Sequence, residues 1–90
     1  MKTKKLAEDY DCLAPDGSEI RLLTMTQRGS SVHCTLPPGC VSRPVAHRTV
    51  EEMWYFLEGR GQVWRKQEEW EEVVEVSPGV SLTIPLGAHF

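Results

Sequence analysis

Residues 39–61 read G-C-V-S-R-P-V-A-H-R-T-V-E-E-M-W-Y-F-L-E-G-R-G, and the apolar run Met53–Leu57 within this stretch decides the fold class. Neighbouring side chains of a β-strand point to opposite faces, so Glu52, Trp54 and Phe56 share one face. Met53, Tyr55 and Leu57 share the other face. A strand that is apolar on both faces is covered on both faces. We therefore expect one face to line the core and the other to meet a second layer, formed by the N-terminal strands or by a second subunit.

The rest of the chain is divided into short segments by glycine and proline turns, such as Pro15-Asp16-Gly17 and Ser77-Pro78-Gly79. Short β-branched or alternating segments between such turns are typical of all-β sandwiches and barrels. We predict one domain over residues 1–90, in which residues 1–18 form an N-terminal arm or edge segment. The predicted strands are Ile20–Thr26, Ser31–Leu36, Arg43–Val50, Glu52–Glu58, Gly61–Lys66, Val73–Val76 and Val80–Ile84.

One segment, residues 66–76 (K-Q-E-E-W-E-E-V-V-E-V), allows two interpretations. It is rich in glutamate, and Trp70, Val73 and Val74 have the i, i+3, i+4 spacing of a helix face. A single helical turn there competes with a hairpin that has an acidic tip. We favour the hairpin because the flanking segments are both strand-like.

The composition excludes several classes of function. The net charge of -3 and the isoelectric point near 5.5 give no general attraction to nucleic acid or to an anionic membrane. No apolar run approaches the roughly 20 residues of a membrane-spanning helix. No apolar segment follows the basic N-terminus, as it would in a signal peptide. A cytoplasmic location is therefore the expectation.

The three cysteines, Cys12, Cys34 and Cys40, lack the spacing of zinc ligands. We interpret them as reduced thiols in a reducing compartment. Cys34 alternates with Val32 and Leu36, so we expect these side chains to be buried together on the apolar side of a strand.

Glycine, histidine and glutamate recur in the quoted stretch at the spacing of a known family motif. The stretch resembles the first motif of the cupin family, G-x5-H-x-H-x3,4-E-x6-G, with Gly39, His47, Glu52 and Gly59 at matching positions. Val45 stands where the family has its first metal-binding histidine. The resemblance implies a cupin-type jelly-roll β-barrel (a double-stranded β-helix), and it implies that one metal ligand is missing from this motif.

The end of the chain resembles the second cupin motif, G-x5-P-x-G-x2-H-x3-N, through Gly79, Pro85 and Gly87. Phe90 occupies the position of the family's last histidine ligand, and His89 lies one position earlier. The complete motif would continue into further strands, so we expect the barrel to be incomplete within this chain, through natural truncation or artificial shortening. An unpaired sheet edge tends to recruit another chain, which favours a homodimer, with or without exchanged strands.

In metal-dependent cupins, histidine and glutamate ligands hold a divalent transition metal such as Fe, Mn, Ni, Cu or Zn. By this resemblance the candidate metal ligands are His47, Glu52 and, through a bulge or turn, His89. Alternatively, His47 and Glu52 form a polar pair bonded to each other, because an unpaired buried carboxylate is costly. The candidate pocket residues are Val45, Trp54, Phe56, Trp64 and Phe90.

Three functions fit these features. The first is a small, dimeric cupin-type binding protein that has a degenerate metal site and takes a small organic ligand. The second is a metal-dependent enzyme of the dioxygenase, decarboxylase or isomerase type, which uses His47, Glu52 and a non-standard third ligand. The third is a structural remnant whose barrel serves only assembly. We favour the first, because Val45 and Phe90 both stand where a histidine would bind metal.

Overall fold

A computed structural model describes all residues 1–90 and contains strands, turns and loops but no helix. The all-β prediction is therefore confirmed. No helix long and apolar enough to cross a membrane is present. The strands pair antiparallel in three small sheets, ordered β1-β2-β3, β4-β7 and β5-β6, and they do not close into a barrel. Their bounds are β1 (Cys12–Leu13), β2 (Glu19–Met25), β3 (Ser30–Thr35), β4 (Glu52–Tyr55), β5 (Gly61–Gln67), β6 (Trp70–Val76) and β7 (Ser81–Ile84).

The chain divides into two compact units, Met1–Arg43 and Pro44–Phe90. In the first unit β2 is the central strand, and Ile20 lies between Cys12 of β1 and Cys34 of β3. The predicted arm thus contains a two-residue edge strand.

The first unit has no buried apolar side chain, and Ser18 is its one buried residue. Cys34 is exposed, as are Val32 and Leu36, so the prediction that these residues are buried is wrong. The two-residue period identifies which side chains share a face. A face becomes buried only where a second layer packs on it, and strand periodicity carries no information about that layer.

The second unit contains the buried apolar core. Val76, Leu82, Ile84 and Ala88 are buried, and Ile84 is only 1 % exposed. The two aliphatic residues of β7, Leu82 and Ile84, lie two positions apart and therefore point to the same side. Further side chains pack partly buried against this core, namely Trp54, Phe56, Val63, Val74, Val80 and Phe90.

Burial along β4 alternates with the two-residue period. Glu52 and Trp54 are partly buried, whereas Met53 and Tyr55 are exposed. β4 pairs with β7 from Glu52–Ile84 to Tyr55–Ser81, so its inward side chains meet those of the core. The predicted division of residues 52–57 into two faces is confirmed, and the Met53 face is exposed in the single chain.

β5 and β6 form a hairpin whose residues pair without interruption, from Gly61 opposite Val76 to Gln67 opposite Trp70. Glu68 and Glu69 form its tip, and Glu68 has φ 55, a left-handed conformation that tight hairpin turns require. The hairpin with an acidic tip is therefore confirmed, and no helical turn forms in this segment.

The segment Arg43–Val50 is not a strand, and that prediction is wrong. Only Ala46 forms a bridge there, to His89, which also bridges Lys66 of β5. Pro44 has no backbone N–H and cannot donate to a ladder, which weakens strand pairing at the start of the segment.

Candidate functional site

The backbone brings Val45 and Phe90 together. The N–H of each residue donates to the carbonyl oxygen of the other, and both distances are 2.9 Å. The N–H of Gly87 donates to the carbonyl oxygen of His47 at 2.8 Å, which holds His47 beside the same segment. Val45 and His47 are two residues apart in extended chain, so their side chains point to one face.

The side chains of His47 and Glu52 are in direct contact. The distance from His47 Nε2 to Glu52 Oε2 is 3.2 Å, and the two side chains are 35 % and 31 % exposed. Trp54 Nε1–H donates to Glu52 Oε1 at 2.7 Å. Both carboxylate oxygens of Glu52 therefore have a partner within the protein, while solvent still reaches the His47–Glu52 pair.

Aromatic rings surround one side of the His47–Glu52 pair. The Phe90 ring centroid lies 5.5 Å from that of His47 and 5.5 Å from that of Trp54. Trp54 in turn makes an edge-to-face contact with Phe56 at 6.0 Å. These separations and tilts are typical of favourable aromatic contacts. An apolar wall thus stands beside a hydrogen-bonded polar pair.

His89 and Trp64 lie away from this cluster. His89 is exposed. Its backbone N–H donates to the carbonyl oxygen of Lys66, and its carbonyl oxygen accepts from the N–H of Lys66, both at 2.8 Å. Trp64 donates to Glu71 Oε1 at 2.8 Å on the hairpin face that also carries Val73. The predicted pocket residues that the structure brings together are Val45, Trp54, Phe56 and Phe90.

Only two of the candidate metal ligands, His47 and Glu52, meet in the fold. No group of three or more His, Cys, Asp or Glu side chains is arranged to hold a metal ion. Position 90, where the cupin resemblance expects an imidazole, carries a phenyl ring that has no lone pair to donate. Zinc sites in proteins have three or four protein ligands, and His47 and Glu52 alone do not make up such a set.

A second polar cluster, around Arg65, was not predicted from the sequence. It lines a surface depression of about 250 Å³ on the β5–β6 hairpin. The sequence does contain a signal for this cluster. Arg65 and Glu72 are equally distant from the hairpin tip, so they lie opposite each other on β5 and β6. A further depression of about 540 Å³ lies in the first unit beside Lys2 and Thr26. Neither depression includes the His47–Glu52 pair.

No family model, no curated protein and no solved structure matches this chain. Its function is therefore inferred from the geometry of its own residues.

Proposed function

We propose that the chain is a small cupin-type binding module whose site takes an organic ligand at His47 and Glu52 without a resident metal. One observation carries the proposal: the positions that the cupin motifs assign to metal ligands, 45, 47, 52 and 90, meet in the fold. Val45 pairs with Phe90, the Phe90 ring contacts His47, and His47 contacts Glu52. Because two of the four residues are apolar, this convergence supports a cupin-type site whose chemistry has changed.

The glycines of the two motifs lie at positions whose backbone conformation suits glycine. Gly39, Gly59, Gly79 and Gly87 have φ values of 78, 83, 95 and 78 degrees. Residues with a side chain rarely adopt such values, whereas glycine does so without steric cost. The motif glycines therefore meet a backbone requirement at these four positions, as Gly17 does outside the motifs.

The ligand that suits this site combines a hydrogen-bonding group with an apolar part. The His47–Glu52 pair offers an imidazole edge and a carboxylate that solvent reaches. Phe90 and Trp54 supply the apolar surface beside them. Small-molecule sites generally combine apolar walls with a few convergent polar groups, and this cluster has that composition.

A ligand at this site is expected to shift the indole N–H signal of Trp54 in an NMR spectrum of ¹⁵N-labelled protein. The reason is that Trp54 donates to Glu52, and a bound group that competes for this carboxylate changes the hydrogen bond. The probes are a panel of small carboxylic acids, amides and phenols. Trp64 provides an internal control, because its indole also donates to a glutamate, Glu71, but lies away from the cluster. Equal shifts of both indoles, or no shift with any probe, would contradict the proposal.

We also propose that a second copy of the chain pairs with β4. Met53 is 87 % exposed, and Tyr55 and Leu57 are exposed beside it. Phe56 N–H donates to the carbonyl oxygen of Val80 at 3.0 Å. Bonded and non-bonded pairs alternate in an antiparallel ladder, so the backbone groups of Met53 and Tyr55 point away from β7. An apolar strand edge with unpaired backbone groups is a template for another strand.

The dimer is expected to be visible by light scattering at micromolar concentration, as a mass of twice the 10.2 kDa of one chain. Met53→Lys is expected to give a monomer, because lysine on a strand edge opposes pairing. Val73→Lys is the control, since Val73 is an exposed apolar residue on the hairpin. A monomeric wild-type protein, or a Met53→Lys protein that stays dimeric, would contradict pairing at β4.

A further inference from the structure

The depression around Arg65 has the composition of a ligand site that is separate from the His47–Glu52 pair. Arg65 and Gln67 of β5 lie opposite Glu72 and Trp70 of β6, so all four side chains belong to one face of the hairpin. Together with Lys66, Thr83, Pro85 and Ala88 they line a volume of about 250 Å³. We call this surface the Trp70 depression.

The polar groups of the Trp70 depression are held in place by hydrogen bonds. Arg65 Nη1 donates to the carbonyl oxygen of Thr83 at 2.8 Å, and Arg65 Nη2 donates to Glu72 Oε1 at 2.5 Å. Gln67 Nε2 donates to the carbonyl oxygen of Leu86 at 3.1 Å. The Arg65 side chain is only 18 % exposed. A ligand therefore meets groups whose orientation is already fixed, which lowers the entropic cost of binding.

These bonds leave both acceptors and donors available. Gln67 keeps its Oε1, and Glu72 keeps its Oε2, as acceptors of further hydrogen bonds. The guanidinium of Arg65 has five N–H groups, one on Nε and two on each Nη. The Nε is buried without a partner, and each Nη, which already makes one bond, has one more N–H to donate. The depression thus presents donors and acceptors side by side, and a ligand that is both donor and acceptor satisfies them best.

The charged residues that line the Trp70 depression are Arg65, Lys66 and Glu72. Arg65 and Glu72 carry opposite charges and are in direct contact. Lys66 also lines the depression, but its side chain projects from the other face of the hairpin, because it lies between Arg65 and Gln67 on β5. A neutral ligand can bond to the remaining donors and acceptors while this ion pair stays in place.

Trp70 differs from the other two tryptophans of the chain. The indoles of Trp54 and Trp64 are partly buried, and each donates to a glutamate. Trp70 is 70 % exposed. An exposed indole face gains from covering by the C–H face of a ligand, because that contact removes apolar surface from water.

We propose that the Trp70 depression binds one ring of a neutral saccharide. A pyranose ring has an apolar C–H face for Trp70 and adjacent hydroxyl groups, each both donor and acceptor, for Gln67, Glu72 and Arg65. The small volume of the depression suits a single ring. The proposal is independent of the function assigned to the His47–Glu52 pair, because the two sites share no residue.

The test is an NMR titration of ¹⁵N-labelled protein with glucose, galactose, mannose and N-acetylglucosamine, each up to about 100 mM, since contacts of this kind give dissociation constants on the millimolar scale. At least one sugar is expected to shift the indole N–H signal of Trp70 and the amides of Arg65 and Gln67. The Trp54 signal is expected to stay in place. Glycerol, which has hydroxyl groups but no ring face, is expected to cause no such shift.

Variants separate binding from folding. Trp70→Ala is expected to weaken the sugar at least about tenfold, and its spectrum stays dispersed because Trp70 is exposed. Val73→Ala, on the opposite face of the same strand, is expected to leave the affinity unchanged. The proposal is overturned if no sugar moves the Trp70 signals, if glycerol moves them equally, or if Trp70→Ala binds as well as the wild type.

Discussion

Replacing Ile84 by alanine is expected to lower the free energy of unfolding by about 3–4 kcal/mol. Ile84 is 1 % exposed and is the largest fully buried side chain of the chain. The substitution removes buried methyl and methylene groups and leaves a cavity that a four-residue buried core cannot fill by rearrangement. The measurement is a urea titration followed by circular dichroism, at the same protein concentration for both proteins.

Leu86→Ala is the matched control for this prediction. Leucine and isoleucine lose the same number of atoms, and Leu86 lies two residues from Ile84 but is 52 % exposed. Its substitution is expected to cost less than about 1 kcal/mol. If Ile84→Ala does not fold, Ile84→Val is expected to cost about 1 kcal/mol. Equal effects at positions 84 and 86 would mean that the core is not centred on Ile84.

The sequence predicts those strands whose composition is apolar or β-branched within a single segment. The run around Trp54 is apolar at every position, and the two-residue period predicts which of its residues share a face. The structure shows this division in β4, where only the Trp54 face is partly buried. The hairpin of β5 and β6 is likewise predicted, because turn-flanking segments with β-branched residues pair locally. The sequence therefore predicts individual strands and the pairing of strands that are neighbours in the chain.

The sequence does not predict pairing between segments that are distant in the chain. Arg43–Val50 has the composition of a strand, yet only Ala46 forms a bridge, to His89. Its neighbours Val45 and His47 bond to Phe90 and Gly87, which the sequence pattern did not predict as partners. Cys34 and Val32 share a face as predicted but are exposed. In both cases the missing information is which element lies alongside, and this is set by tertiary packing.

The candidate site shows the same division. Motif spacing predicted that His47 and Glu52 act together, and they are in contact in the structure. The bond from Trp54 to Glu52 was not predicted, although their i, i+2 spacing on one strand places them on one face. The orientation of Trp64, which points away from the cluster, depends on the register of the hairpin and on what packs against each face.

Introducing the two missing histidines, as the double variant Val45→His, Phe90→His, is expected to raise the affinity for Zn²⁺ or Ni²⁺ at least about 100-fold over the wild type. Val45 and Phe90 are hydrogen-bonded neighbours, and the Phe90 ring already lies 5.5 Å from that of His47. Two added imidazoles would join His47 and Glu52 to give four ligands, which satisfies a tetrahedral metal. Isothermal titration calorimetry at neutral pH measures both affinities.

The control adds the same number of histidines elsewhere, as Val73→His, Leu86→His, at exposed positions outside the cluster. This control is expected to bind metal no better than the wild type. Replacing His47 by alanine in the double variant is expected to abolish most of its gain in metal affinity, because the remaining ligands would be too few.

The wild-type protein, purified without an affinity tag, is expected to contain no stoichiometric Fe, Mn, Ni, Cu or Zn. Near-stoichiometric metal that is lost in both His47→Ala and Glu52→Ala would reject the metal-free proposal and favour a metal-dependent enzyme. Ligand loss is thus tested at positions 47 and 52 and ligand gain at positions 45 and 90. The first measurement asks whether the present site holds metal, and the second asks whether the four positions can together hold one.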